Sequence, residues 1–251
     1  MTDNSQIEQL LSDYEEVSIS QIIGVELMER METKFIFNFL LLPGIVTELK
    51  TYYKVLSVEK LKLQPYSTVY YDTDDLLTYN QNHNGKSNRF KIRIRSYDAF
   101  NTRYIELKFK TNKEETRKRR IEIPELSDTN VIAHQFIESE SFLKFSELHE
   151  TLTNKFTRIT MVNKEFTERL TLDIGLSFQH GLQHVEFPSI VVAEIKKDSI
   201  TRSSVFPAII KKYGVRPISF SKYCVGMILL NPGLKYNNYK SKILQLQKQC
   251  I

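Results

Sequence analysis

Lysine and arginine recur at every second position inside segments that otherwise read as β-strands. The clearest is Phe90-Lys91-Ile92-Arg93-Ile94-Arg95, where the cations alternate with isoleucines. Side chains of a strand point to opposite faces with period two. Lys91, Arg93 and Arg95 therefore share one face and Ile92 and Ile94 the other. The same arrangement recurs in at least five more segments. A sheet with one apolar and one cationic face is ordinary when the cationic face is flat and wet. If the sheet curls so that the cations face each other, the interior repels itself unless a polyanion sits among them.

The remaining strands carry the same pattern. Arg30, Glu32 and Lys34 oppose Met31, Thr33 and Phe35, and Glu106, Lys108 and Lys110 oppose Ile105, Leu107 and Phe109. Lys118, Arg120 and Glu122 share a face opposite Ile121 and Ile123. Arg158 and Thr160 oppose Ile159 and Met161. Arg169, Thr171 and Asp173 oppose Leu170, Leu172 and Ile174, and Glu194 and Lys196 oppose Ala193 and Ile195. Several of these positions hold arginine, whose planar fork grips phosphate through paired hydrogen bonds. The interspersed acids Glu32, Glu106, Asp173 and Glu194 are candidates to hold a divalent cation that bridges phosphate oxygens. Such an interior is expected to be stabilised by its anionic ligand through linkage.

Along the chain, residues 4–16 predict a short amphipathic helix and Leu27–Phe39 contains a strand. A helix is expected over 45–55, a strand over 68–73 and a short helix from Asp74 to Asn80. After a turn at 82–85, strands are expected at 88–97, 103–111 and 117–123. A long helix is expected within 126–154, then strands at 156–163, 166–174 and 189–196 and a helix at 202–213. The whole reads as an α+β protein whose roughly eight antiparallel strands suffice for a small barrel. The domain reading is an acidic N-terminal extension over 1–20, a central domain over 21–230 and a tail over 231–251.

The net charge of +5 hides an asymmetry. The first sixteen residues hold Asp3, Glu8, Asp13, Glu15 and Glu16 without a lysine or arginine, whereas 86–120 is strongly basic. That concentration points to an anionic partner. Two cysteines, Cys224 and Cys250, imply no disulfide framework. No secretory signal is visible, and the longest apolar run, 35–46, is interrupted by Asn38, Pro43 and Gly44. A cytoplasmic protein without a membrane span is expected.

Three other motifs are weaker. Asn80-x-x-x-x-Gly85-Lys86-Ser87 imitates a P-loop but lacks its first glycine and leads into a strand. His180-x-x-x-His184 has zinc-like spacing, but no companion ligand is close in sequence and its surroundings read as a loop. The many tyrosines and phenylalanines beside basic strands fit core packing better than a nucleic-acid platform, so no nucleic-acid partner is expected.

Taken in order, Arg30-x-Glu32-x-Lys34-Phe35, Tyr70-Tyr71-Asp72-Thr73, Asn84-Gly85-x-x-Asn88-Arg89-Phe90-Lys91-x-Arg93-x-Arg95 and Glu106-x-Lys108 resemble the VTC domain. So do Glu168-Arg169-Leu170-Thr171-Leu172-Asp173, Glu194-Ile195-Lys196 and Ser219-Phe220-Ser221-Lys222-Tyr223. This is the catalytic module of polyphosphate polymerases, a branch of the triphosphate tunnel metalloenzymes, and the resemblance spans roughly residues 25–228. It implies an eight-stranded antiparallel β-barrel tunnel with helices around it. It also implies transfer of the ATP γ-phosphoryl group to inorganic polyphosphate with Mn²⁺ or Mg²⁺. By position, Lys34, Arg93, Arg95, Lys108, Arg158, Arg169 and Lys222 would carry the catalytic phosphate contacts. Arg30, Lys91, Lys118, Arg120 and Lys196 would add further phosphate contacts. Glu194 would be the metal ligand, with Glu32 a second candidate. Hydrolases of the superfamily carry E-x-E-x-K at the first strand, where this chain has Arg30, so the polymerase-like branch is favoured. A tripolyphosphate or nucleoside triphosphate hydrolase and a catalytically silent polyphosphate binder are the alternatives. The acidic N-terminal helix is a candidate plug for one tunnel mouth.

Overall fold

The computed structural model describes residues 4–23, 30–113, 115–198 and 204–250. The strands are β1 (Glu16–Val17), β2 (Arg30–Asn38), β3 (Tyr53–Leu56), β4 (Gln64–Asp72), β5 (Arg89–Tyr97) and β6 (Thr102–Lys110). They continue as β7 (Thr116–Glu122), β8 (His149–Asn163), β9 (Glu168–His180), β10 (Gln183–Phe187) and β11 (Ile190–Asp198). The helices are α1 (Asn4–Ser12), α2 (Ile19–Ile23), α3 (Leu42–Leu49), α4 (Leu77–His83), α5 (Thr129–Glu140), α6 (Val205–Lys212), α7 (Lys222–Leu230) and α8 (Lys240–Gln249).

Eight strands form one antiparallel path in the order β2-β11-β9-β8-β4-β5-β6-β7. The short β3 pairs with β8 beyond the end of β4, and β10 pairs with β9 beyond the end of β11. The sheet curls. Lys108 on β6 reaches Glu32 on β2 at 3.6 Å, although the two strands stand six places apart in the sheet order. The tunnel is not a hydrogen-bonded barrel, however. β2 and β7 are the ends of the path with no ladder between them among the described residues, and the Lys108–Glu32 ion pair spans the gap.

The alternating faces sort as the curl requires. On the convex side, Phe35, Phe37, Ile159, Met161, Leu170, Leu172, Val191, Ala193 and Ile195 pack with α1, α3 and α6. Ile92, Ile94, Ile105 and Leu107 pack with α5. The cations share the concave side. The acidic N-terminal helix is therefore no tunnel plug: Ile7 and Leu11 of α1 are fully buried in the convex core.

Several boundaries move. Pro43 sits in the first turn of α3, which ends at Leu49, so the expected helix over 45–55 gives way to β3. The expected helix over 126–154 is α5 alone. Ser141 is extended, a short 3-10 turn covers Phe145–Glu147, and the alternating run from His149 belongs to β8. The segment around His180 and His184 is a β9–β10 hairpin, not a loop, with Gly181 supplying the left-handed turn at φ +56°. His180 stands opposite Gln183, and His184 opposite Gln179. The two histidines thus fall on opposite faces, and the zinc spacing is accidental. The tail contains α8, whose Ile243 and Leu246 are buried.

α7 fills one end of the concavity. From Cys224 to Leu230 it is apolar all round, as a helix segment buried on every side must be. Tyr223, Cys224, Val225, Met227 and Ile228 pack with Ile36, Tyr66, Tyr70, Leu152, Phe156, Leu176, Phe178, Ile190 and Val192 of the sheet. A Cβ on Gly226 would lie 2.6 Å from both Leu152 and Phe178, so the helix lies hard against the strands. Among the described residues no helix is long and apolar enough to cross a membrane.

Candidate functional site

The half of the concavity left open by α7 is built around four carboxylates, each holding more than one cation. Glu106 on β6 is 1% exposed and is the first centre. Arg93 lies 2.6 Å away, Lys118 at 2.9 Å and Arg95 at 3.8 Å. Pairing of β5 with β6 and of β6 with β7 sets Arg93 and Arg120 opposite Glu106. Burial alone would raise the Glu106 carboxyl, but Arg93, Arg95 and Lys118 outweigh it and hold it well below the ordinary value.

Asp173 on β9 is the second centre, 2% exposed. Arg158 donates to both its oxygens at 2.6 and 2.8 Å, and Lys222 of α7 donates to one of them. Burial lowers Lys222 to about 8, against the pull of Asp173. Two aromatic rings support this cluster. Arg158 lies 5.1 Å from the Tyr66 ring and 5.2 Å from the Phe156 ring, and Arg95 lies 5.7 Å from Tyr66. Lys222 lies 4.4 Å over Phe156. Guanidinium and ammonium groups gain cation–π energy there and keep their orientation.

Glu194 on β11 and Glu32 on β2 form the third centre. Lys34 stands 3.1 Å from Glu194 and 3.5 Å from Glu32, and Lys196 stands 2.8 and 3.6 Å from the same two. Lys108 joins Glu32 from across the tunnel. Burial opposes ionisation of Glu194, yet Lys196 and Lys34 keep its carboxyl well below the ordinary range. Arg169 is set beside Lys196 by the β9–β11 register.

Lys91 lies deeper, donating to Ser221 Oγ at 3.1 Å, and its burial lowers it to about 8. Lys118 is likewise lowered to about 8, first by burial, although Glu106 pulls the other way. Arg120 is at the exposed rim, 4.9 Å from the Tyr104 ring. The side chain of Arg30 lies outside the described residues. All other sequence-named positions thus face one concavity. Sequence reasoning gave no role to Tyr66, Phe156 or Ser221. The first lay in a strand read four residues short, the second was the first residue of the expected strand 156–163 and was assigned to neither face, and the third lay beside a helix not anticipated.

Nine lysines and arginines hydrogen-bond or ion-pair here, Lys34, Lys91, Arg93, Arg95, Lys108, Lys118, Arg158, Lys196 and Lys222, against four carboxylates. The excess of positive charge in a partly desolvated groove suits a chain of phosphates. Glu194 and Glu32 offer hard oxygen ligands of the kind Mg²⁺ and Mn²⁺ prefer. Among the described residues no group of three or more His, Cys, Asp or Glu side chains is poised for a metal. A cation there would need phosphate oxygens and water to complete its shell, which fits a metal carried by a triphosphate.

A curled antiparallel sheet, clad in helices on its convex side and lined by cations within, defines an α+β protein of the triphosphate tunnel fold. Residues 29–231 match the VTC domain family, and the chain belongs to it. A candidate adenylate cyclase from Bacillus halodurans is similar in structure, with a TM-score of 0.53 and 15% identity over 77% of this chain and 94% of that one. A candidate adenylyl cyclase from Hippeastrum, described as having a dominant triphosphatase activity, has a TM-score of 0.51 and 16% identity over 84% of this chain and 99% of that one. At such identities the likeness shows the fold alone. No curated protein matches the sequence.

Proposed function

We propose that this chain transfers the γ-phosphoryl group of ATP to the end of an inorganic polyphosphate chain, with a divalent cation, Mn²⁺ or Mg²⁺. A terminal oxygen of the acceptor forms the new bond to the γ-phosphorus as the bond to the β,γ-bridging oxygen breaks, and ADP leaves. The observation that carries the reading is the convergence of eight cations on four carboxylates in one groove, with Lys91 beside them on Ser221. Phosphoryl transfer asks little covalent help of a protein. It asks for alignment and for neutralisation of charge on the transferring oxygens.

In this reading Lys34, Arg93, Arg95, Lys108, Arg158, Arg169 and Lys222 grip the reacting phosphates. Arg30, Lys91, Lys118, Arg120 and Lys196 extend the track. Glu194, with Glu32, holds the cation, which when bound neutralises phosphate oxygens. Asp173 keeps Arg158 in a fixed rotamer before the substrate arrives, so that less ordering remains to be done on binding.

A second reading, hydrolysis of tripolyphosphate or a nucleoside triphosphate in the same groove, has its own support. α7 closes one end of the concavity by packing against strand side chains such as Leu152, Phe178 and Val192, which are at most 2% exposed. A blind groove suits a short substrate that enters and leaves by one mouth. The activity described for the Hippeastrum neighbour points the same way. Incubation of the purified protein with ATP, Mn²⁺ and a short polyphosphate primer, with products resolved on a gel, separates the readings. Chains that lengthen with time support the polymerase. Orthophosphate alone selects the hydrolase, and no turnover leaves a polyphosphate-binding module.

A further inference from the structure

Three consecutive residues at the start of α7 reach three different partners. Ser221 accepts from Lys91 on β5, and Lys222 donates to Asp173 on β9. Tyr223 instead donates its hydroxyl, at 2.5 Å, to Asp72 at the end of β4. Asp72 is fully buried and belongs to none of the cation clusters. One of its oxygens accepts from the backbone N–H groups of Thr73 at 2.9 Å and Thr78 at 2.8 Å. The other accepts from the N–H of Tyr79 at 2.8 Å as well as from Tyr223. Asp72 thereby caps the first turn of α4 from outside the helix, whose own N-cap residue, Leu76, has no side chain able to do so. The Tyr223 ring also stacks on Tyr70, with centroids 5.0 Å apart and planes at 24°.

The rest of α7, from Cys224 to Leu230, is apolar and buried save for the half-buried Leu229. Apolar burial is non-directional. It seats the helix in the concavity but specifies neither its rotation about its axis nor its position along it. A hydrogen bond to a rigidly held carboxylate specifies both. Asp72 is rigid because the start of α4 and the end of β4 fix it together.

Resting on the phosphate-binding reading above, we propose that Asp72 and Tyr223 are positioning residues. They form a latch that sets the register of α7 and so presents Lys222 to bound phosphate. Neither latch residue touches the phosphates. Their effect passes through Lys222.

The test is a double-mutant cycle on tripolyphosphate affinity, measured by titration calorimetry without metal or turnover, with thermal melting as a parallel readout. Tyr223→Phe keeps the ring and removes the bond to Asp72. It should weaken tripolyphosphate binding about ten-fold, the effect of one charge-assisted contact. In a Lys222→Ala background the same change should have no further effect. A purely structural role would lower the melting temperature and leave the two substitutions additive, and additivity would overturn the latch. So would Tyr223→Phe binding as tightly as the wild type. Should Tyr223→Phe not fold, Asp72→Asn in the same cycle carries the same expectation. A wild-type protein that fails to bind tripolyphosphate would overturn the phosphate-binding reading itself, and the latch with it. Wild-type binding with an unaffected variant overturns the latch alone.

Discussion

Replacing Glu106 by glutamine separates two roles a carboxylate can have inside a cationic groove. Glu106 is 1% exposed and sits against Arg93, Lys118 and Arg95 at 2.6, 2.9 and 3.8 Å. Removing one partner of a buried ion pair costs about 3–5 kcal/mol, because the other partner is left uncompensated. Lys118, with a side chain 42% exposed, is screened by water and adds little. The two arginines dominate the loss. At about 2–4 °C per kcal/mol for a protein of this size, Glu106→Gln should lower the melting temperature by about 6–20 °C.

The informative sign is that of the ligand response. If Glu106 is a stand-in counter-ion, removing it leaves the arginines seeking an anion, and tripolyphosphate should bind the variant more tightly than the wild type. A ligand at a hundred times its dissociation constant stabilises by about 2.7 kcal/mol. At one fixed concentration the variant should therefore gain more than the wild type, and part of the lost stability should return. Thermal melts across a tripolyphosphate titration measure this directly. A smaller ligand-induced shift in Glu106→Gln than in wild type would refute the reasoning. It would mean that the carboxylate serves mainly to hold Arg93 and Arg95 in their binding rotamers, and that this ordering outweighs the relief of charge.

Removing a phosphate contact should act in the opposite direction: Arg93→Ala should weaken tripolyphosphate binding about ten- to a hundred-fold, read by calorimetry. Phosphate affinity should fall as pH rises above about 8, because Lys91, Lys118 and Lys222, all lowered to about 8 chiefly by burial, lose their protons there. Between that value and the ordinary lysine value of 10.5 the unfolded chain binds more protons than the folded one. These three groups therefore make the empty protein more stable as pH rises through that window, and an affinity that stays flat from pH 7 to 9 would contradict the assignment. Lys196→Gln should bind Mn²⁺ more tightly than wild type without phosphate, by electron paramagnetic resonance titration, since it frees the Glu194 oxygen that Lys196 occupies at 2.8 Å. Gly226→Ala should cost about 1–3 kcal/mol in thermal unfolding, as expected of overpacking against Leu152 and Phe178.

The parity of the strands was legible because it is local. Lys91, Arg93 and Arg95 share a face whatever the tertiary structure, and the hairpin that follows sets Arg93 opposite Glu106. Contacts between distant segments were not. Lys222 meets Asp173 across 49 positions, and nothing in either segment announces the other. α7 escaped notice because Val225-Gly226-Met227-Ile228-Leu229-Leu230 has no polar face, so it lacks the period that marks an amphipathic helix. The run from His149 to Asn154 was absorbed into a helix because its few apolar residues fit either period, a standing ambiguity of short segments.

Yet the clue that decides between a flat wet sheet and a tunnel lies in the strands themselves, one or two steps past the charged positions. Ile36 shares its face with Lys34, and Val192 shares its face with Glu194. Both are at most 2% exposed, packed with α7. On β8 and β9 the face that carries Arg158 and Asp173 likewise gives way, past an irregularity in the register, to Leu152, Phe156, Leu176 and Phe178. A solvent-washed face has no reason to turn apolar on four strands at the same level. That change of chemistry along a single face requires something apolar to cover one end while the other end stays charged. A covered end brings the flanking strands around the cover, and the charged half is then drawn into the same concavity. The cations are enclosed because the apolar half of their own face must be.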